Sequence, residues 1–240
     1  MSDFDAVPVL DFHLRTADRP AFIAQLRHAV VNVGFLYLTN HPVDLNLIHA
    51  LVNTHVPALF ALPHPEKHRI RMANSPHFLG YSRLGAELTK GAVDYREQFD
   101  FATDHVCRWT APTDPDYYRL WGPSQVGCVP SECANIHRQL QWPDEAFIPG
   151  FNSLFRRYLD QVTQLSYDFS SLIAEALGLP PDGLSRFYDE PSLMQHRAKV
   201  VKYPVVQGHT QGVGPHYDAG FLTFVSMRRN FYPGSNFAHP

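Results

Sequence analysis

The run from Ile148 to Leu177 constrains this 240-residue chain more than any other stretch. Phe151, Leu154, Phe155, Tyr158, Leu159, Val162, Leu165, Phe169, Leu172, Ile173 and Ala176 recur at three- and four-residue intervals. That rhythm places side chains on one face of an α-helix. Gly178, Pro180 and Pro181 end it, because glycine accepts the left-handed turn after a helix and proline cannot continue one. A helix of this length is about 40 Å long at ~1.5 Å per residue. Its apolar stripe must be covered, so the other elements read first as cover for it. Nothing in the helix itself suggests catalysis.

The N-terminal third reads strand, helix, strand, helix, helix. VPVLDF (residues 7–12) predicts a short strand, with Pro8 tolerated at its start. Asp18 is the expected N-cap of a first helix, with Pro20 in its first turn and Phe22, Leu26, Ala29 and Val30 on one face before Gly34 stops it. Phe35 to Leu38 predicts a second strand, Asp44 opens a second helix, and a third spans roughly Glu66 to Arg71. Tyr95, Phe99 and Phe101 mark a later strand, preceded by a loop with Gly80 and Gly85. Arg108 to Pro130, rich in Pro, Gly, Asp and Trp, predicts irregular structure. After Pro191 the period changes to two: Val200, Val201 and Tyr203 form a strand ended by Pro204. The loop QGHTQGVGP then leads into HYDAGFLTFV as a further strand.

Composition decides which roles are open. With 45% hydrophobic and 18% charged residues and a formal charge of -3, the chain is too apolar to be disordered. It also lacks the basic surplus that binding a nucleic-acid backbone requires. MSDFDAVPVLDF has no basic n-region or long apolar run, and Ala29–Leu38 falls short of the ~20 residues that span a bilayer. The expectation is a cytoplasmic protein without a membrane helix. Cys107, Cys128 and Cys133 form no CxxC pair and read as free thiols; Cys128, Cys133 and His137 are too loosely spaced for a zinc site.

Against 14 histidines, one stands out by its neighbours. In His216-Tyr217-Asp218 the imidazole and carboxylate are two residues apart, on the same side of a strand. That pair supplies two members of a 2-His-1-carboxylate facial triad, which leaves adjacent metal positions open. HxD alone is a weak signal, and its context strengthens it. VVKYPVVQGHTQGVGPHYDAGFLTF resembles the metal-binding strand of the iron(II)/2-oxoglutarate-dependent dioxygenases of the isopenicillin N synthase-like group. VPVLDF, NVGFLYLTNHPV, GYSRLGAE and DYREQFDF resemble the non-haem dioxygenase N-terminal region of the same group, so the likeness covers most of residues 7–225.

The resemblance implies an α+β fold with a double-stranded β-helix (jelly-roll) core and flanking helices. It divides the chain into an N-terminal dioxygenase region (7–110), a helical and loop segment (111–190) and the start of the jelly-roll (191–226). It implies Fe(II), with 2-oxoglutarate and O2 as cosubstrates, and hydroxylation, desaturation or cyclisation of a small molecule, as in secondary metabolism. His216 and Asp218 would be metal ligands, Tyr203 would border the cosubstrate, and Tyr81 and Phe99 the substrate. Asn40-His41-Pro42 also fits the pattern, as a structural turn.

One departure accompanies the match. Only 22 residues follow Asp218, and SMRRNFYPGSNFAHP carries no RxS motif of the kind that brings the group's cosubstrate arginine. The expectation is a core whose second half is missing, with an aberrant tail at 227–240 in which His239, Arg228 and Arg229 are not positioned to substitute. Two readings of function therefore stand: a dioxygenase impaired in this chain, or a non-catalytic remnant or binding module. In a third, cupin-like reading His216 and Asp218 only hydrogen-bond to each other.

Overall fold

The structure, a computed structural model, describes residues 6–75, 78–103, 113, 142–205, 208, 212–218 and 220–227. β1 (Val9–Asp11) and β2 (Tyr37–Thr39) pair in parallel, with Leu10 opposite Leu38. Parallel neighbours need a crossover, and the chain supplies α1 (Leu14–Ala17) and α2 (Arg19–His28). The Asp18 carboxylate accepts from the Ala21 N–H at 3.2 Å, satisfying an orphan donor of α2's first turn. Gly34 ends the segment at φ +83°, its N–H donating to the Ala29 carbonyl at 2.8 Å. A side chain there would meet nothing within 4 Å, so backbone handedness is what glycine supplies.

α3 (Leu45–Ala50) starts at Asp44, whose side chain accepts from the Asn46 N–H at 2.8 Å. α4 (Val56–Phe60) and α5 (His64–Arg69) follow. Two single π-helical turns, Ala29–Val33 and Leu51–His55, were not legible in the apolar rhythm, because one widened turn barely alters a three- to four-residue spacing.

Beyond the helices, β3 (Gly80–Ser82), β6 (Glu97–Ala102) and β7 (Arg197–Lys202) form an antiparallel sheet in the order β3-β6-β7. A small hairpin of β4 (Leu88–Thr89) and β5 (Ala92–Val93) turns through Lys90 and Gly91, both at positive φ. That is the backbone of a two-residue hairpin whose twist matches its strands.

The long helix α6 (Phe151–Ala176) joins the two halves. Toward its C-terminal end, Leu165, Phe169, Leu172 and Ile173 pack with Leu10, Phe12, Phe22 and Leu26. Toward its N-terminal end, Phe151 and Phe155 pack with Leu59, Ile70, Phe99 and Phe101, and Tyr158 touches both clusters. The Phe151 and Phe155 rings stack at 5.4 Å, and Phe101 meets Phe155 edge-on at 5.1 Å. β6 is buried on both sides: Phe99 and Phe101 face α6, and Gln98 and Asp100 point the other way.

One expected strand differs. Among the described residues, 216–225 enter no ladder, although the period of two persists: Leu222 and Phe224 pack on the α6 cluster while Phe221 and Val225 are exposed. Alternation chooses a face, but a strand also needs a hydrogen-bonded neighbour. Among the described residues no helix is long and apolar enough to cross a membrane.

Candidate metal centre

His216 and Asp218 come together. The imidazole Nε2 lies 3.4 Å from Asp218 Oδ1, and Nδ1 is 2.8 Å from the Gly214 carbonyl oxygen. A carbonyl can only accept, so Nδ1 donates to it and Nε2 is the nitrogen turned toward Asp218. Anchoring of this kind fixes the ring orientation of metal-binding histidines. Two donors at ~2.1 Å from one metal and at right angles are about 3.0 Å apart, so the observed separation fits two adjacent positions after a small closure. The side chains are 44% and 52% exposed, open to an arriving ion. Among the described residues no group of three or more His, Cys, Asp and Glu forms a metal cluster.

Tyr203 lies just beyond β7 and is 53% exposed. Its ring lies so close to Gly212 that a Cβ there would sit 2.3 Å from Cδ1, so only glycine lets the loop pass. Arg96 pairs with Glu87 at 2.6 Å and Asp94 at 3.3 Å, and the Tyr203 hydroxyl lies near enough to favour its charged form. Burial by itself would lower the Arg96 pKa, but Glu87, Tyr203 and Asp94 outweigh it and raise it.

Tyr81 and Phe99 sit elsewhere. They are opposite each other in the β3–β6 ladder with ring centroids 5.0 Å apart, on the side of the sheet that faces the helices. The Tyr81 hydroxyl donates to Glu97 Oε1 at 2.9 Å, and Lys67 Nζ donates to the same oxygen at 2.7 Å. Burial first, then Glu97, pushes the Tyr81 pKa up. This network ties α5 to β3 and β6.

The opposite side of the sheet borders an open cavity of about 2940 Å³, whose lining includes Arg96, Asp100, Lys199, Tyr203, His216 and Asp218. A closed ligand pocket measures roughly 300–1,000 Å³, so this is a trough rather than a sealed chamber. Arg96 and Asp100 were not singled out from the sequence. Their signal was in DYREQFDF, where Arg96, Gln98 and Asp100 alternate with Glu97, Phe99 and Phe101. The alternation separates two faces but does not say that the polar one is buried. Asp100 is pushed up to about 6, chiefly by burial, with Glu87 adding to the rise and Lys199 and Arg197 opposing it.

Three comparisons bear on this arrangement. Residues 7–127 match the family described as non-haem dioxygenase in morphine synthesis N-terminal. The chain is 41% identical, over 92% of its length, to the 2-oxoglutarate-dependent dioxygenase frbJ of Dothideomycetidae sp., of which it covers 56%. It is 34% identical, over 93% of its length, to a 2-oxoglutarate-dependent dioxygenase of Gibberella zeae, of which it covers 55%. It thus spans about half the length of these curated relatives. In fold it is similar to the crystal structure of a 2OG-Fe(II) oxygenase family protein of Caulobacter crescentus. The TM-score is 0.59 at 21% identity, covering 86% of this chain and 59% of that one.

Proposed function

Because the chain belongs to the iron(II)/2-oxoglutarate-dependent dioxygenase superfamily, we propose that it takes part in the oxidation of a small molecule by that chemistry, with His216 and Asp218 as two of the iron ligands. The observation that carries the reading is the pair itself: Nε2 and Oδ1 at 3.4 Å, with the imidazole oriented by the Gly214 carbonyl. When bound, Fe(II) with 2-oxoglutarate and O2 supplies the oxidising power for cleaving a C–H bond. The chain's own part is to hold and orient. His216 offers its Nε2, Asp218 a carboxylate oxygen, and Tyr203, fixed against Gly212 and beside Arg96, borders the cosubstrate. Tyr81 and Phe99 support the strand that forms the trough wall. On this reading residues 7–110 are the N-terminal dioxygenase region and 191–226 begin the jelly-roll. The outcome is hydroxylation, desaturation or cyclisation.

The test is anaerobic titration of the full chain with Fe(II) and 2-oxoglutarate, followed by measurement of succinate after O2 is admitted. The expected result is a ternary complex and succinate formation, both lost in His216→Ala and Asp218→Ala. No ternary complex at millimolar 2-oxoglutarate overturns the proposal.

A further inference from the structure

The trough does not stop at the sheet. β7 has β6 as its one neighbour among the described residues, and the lining continues around that edge to the side where the helices pack. There it includes Ile48, Val52, Val56 and Phe60. Four positions separate each from the next, so they form one ridge along α3, the π-helical turn Leu51–His55 and α4. At ~1.5 Å per residue the ridge is about 18 Å long, about the length of an extended chain of a dozen carbons. All four side chains are half-buried. Leu47, Leu51 and Leu59, each one position earlier, are buried in the core, so the ridge flanks the core instead of closing it. α6, which packs on α3 and the π-helical turn, adds Leu159 and Val162 to the lining.

One end of the ridge meets a cation. Lys202, the last residue of β7, is exposed and lines the trough, and its Nζ lies 5.7 Å from the centroid of the Phe60 ring. Among the described residues it has no ion-pair partner. Glu97, opposite it in the β6–β7 ladder, accepts instead from Lys67 at 2.7 Å and from the Tyr81 hydroxyl at 2.9 Å. An ammonium has three N–H donors, and a ring face attracts its charge without accepting as an oxygen does, so Lys202 still has donors for an anion.

We propose that this lane binds a long-chain carboxylate, with its head on Lys202 and its chain along Phe60, Val56, Val52 and Ile48. The carboxylate supplies the acceptor and the charge that Lys202 lacks. The chain removes the half-buried ridge from water, which a short acid would leave uncovered. The binding needs neither iron nor 2-oxoglutarate, so it stands independently of the dioxygenase reading.

The experiment is isothermal titration calorimetry of the full chain with hexanoate, decanoate and decyltrimethylammonium, each below its micelle concentration. Near-UV circular dichroism checks folding of each variant. The expected result is a Kd for decanoate at least threefold lower than for decyltrimethylammonium, which has the same chain and the opposite charge. Hexanoate should bind at least tenfold more weakly than decanoate, because each methylene taken from water adds to affinity. Lys202→Glu, a change at an exposed residue, erases the preference for the anion, and Val56→Asp, in the middle of the ridge, weakens decanoate binding at least fivefold. Equal binding of the two ten-carbon compounds, or a preference retained in Lys202→Glu, overturns the proposal even where Val56→Asp fails to fold. Unchanged decanoate binding in a folded Val56→Asp overturns it as well. Co-sedimentation with phosphatidylglycerol vesicles in the absence of decanoate binding would mark a membrane surface instead, and also overturns it.

Discussion

Replacing Asp100 by Asn should make the chain more stable above pH 6 and leave it nearly unchanged near pH 4. In the folded chain burial holds Asp100 at about 6 against an ordinary value of 3.8. Between those two values the folded state keeps a proton that the unfolded state releases. The stability this carboxyl contributes is therefore fully present below about pH 4 and lost as pH rises through 6. At about 1.36 kcal/mol per pH unit the difference corresponds to about 3 kcal/mol of stability forgone at neutral pH. Lys199, Arg197 and Glu87, the charged groups that face Asp100, are already included in that balance. Asparagine has the same shape and cannot ionise. It keeps an acceptor for the Gln98 amide and removes the buried charge. Urea unfolding of the native chain and Asp100→Asn at pH 4, 5, 6 and 7 reads this as a difference in unfolding free energy that grows with pH by up to about 3 kcal/mol. A difference independent of pH would refute the reasoning. So would a variant that loses stability at pH 7, because it would mean that the Lys199 pair outweighs the desolvation of Asp100.

Other expectations follow from packing, capping and exposure. Phe155→Ala removes the ring that Phe101, Phe151 and Tyr158 all meet, and should cost about 3–5 kcal/mol in a urea titration. Asp18→Ala leaves the Ala21 N–H without its acceptor and should cost about 1 kcal/mol, seen as a lower thermal midpoint. His216→Ala and Asp218→Ala change half-exposed groups and should leave unfolding free energy within about 0.5 kcal/mol. Both should weaken Fe(II) binding by at least tenfold, measured by equilibrium dialysis with metal analysis.

The helices were the most legible part of the chain. Asp18 and Asp44 cap where their side-chain chemistry suggests, Gly34 stops where a left-handed residue is needed, and α6 follows its apolar stripe almost to the residue. These features depend on neighbours three or four positions away. His216 and Asp218 were legible for a similar reason, since two residues separate them and the Gly214 carbonyl that orients the ring is equally near. The run from Phe221 to Val225 was legible only in part. Its alternation places Leu222 and Phe224 against α6, but strand pairing depends on a partner that periodicity does not specify.

The polar side of β6 shows where local reading ends. Arg96, Gln98 and Asp100 are visibly a set in DYREQFDF, and a period of two assigns them to the face opposite Phe99 and Phe101. Whether that face meets water or lies buried depends on β7, about a hundred residues later in the chain, and on the Tyr203 and Gly212 segment beyond it. Local sequence determined the helices, the apolar stripe and the metal pair, because hydrogen bonding and side-chain direction within a turn or strand have short range. Tertiary structure decided which polar groups are desolvated and which cation stands opposite Asp100, because burial and charge pairing depend on distance in space.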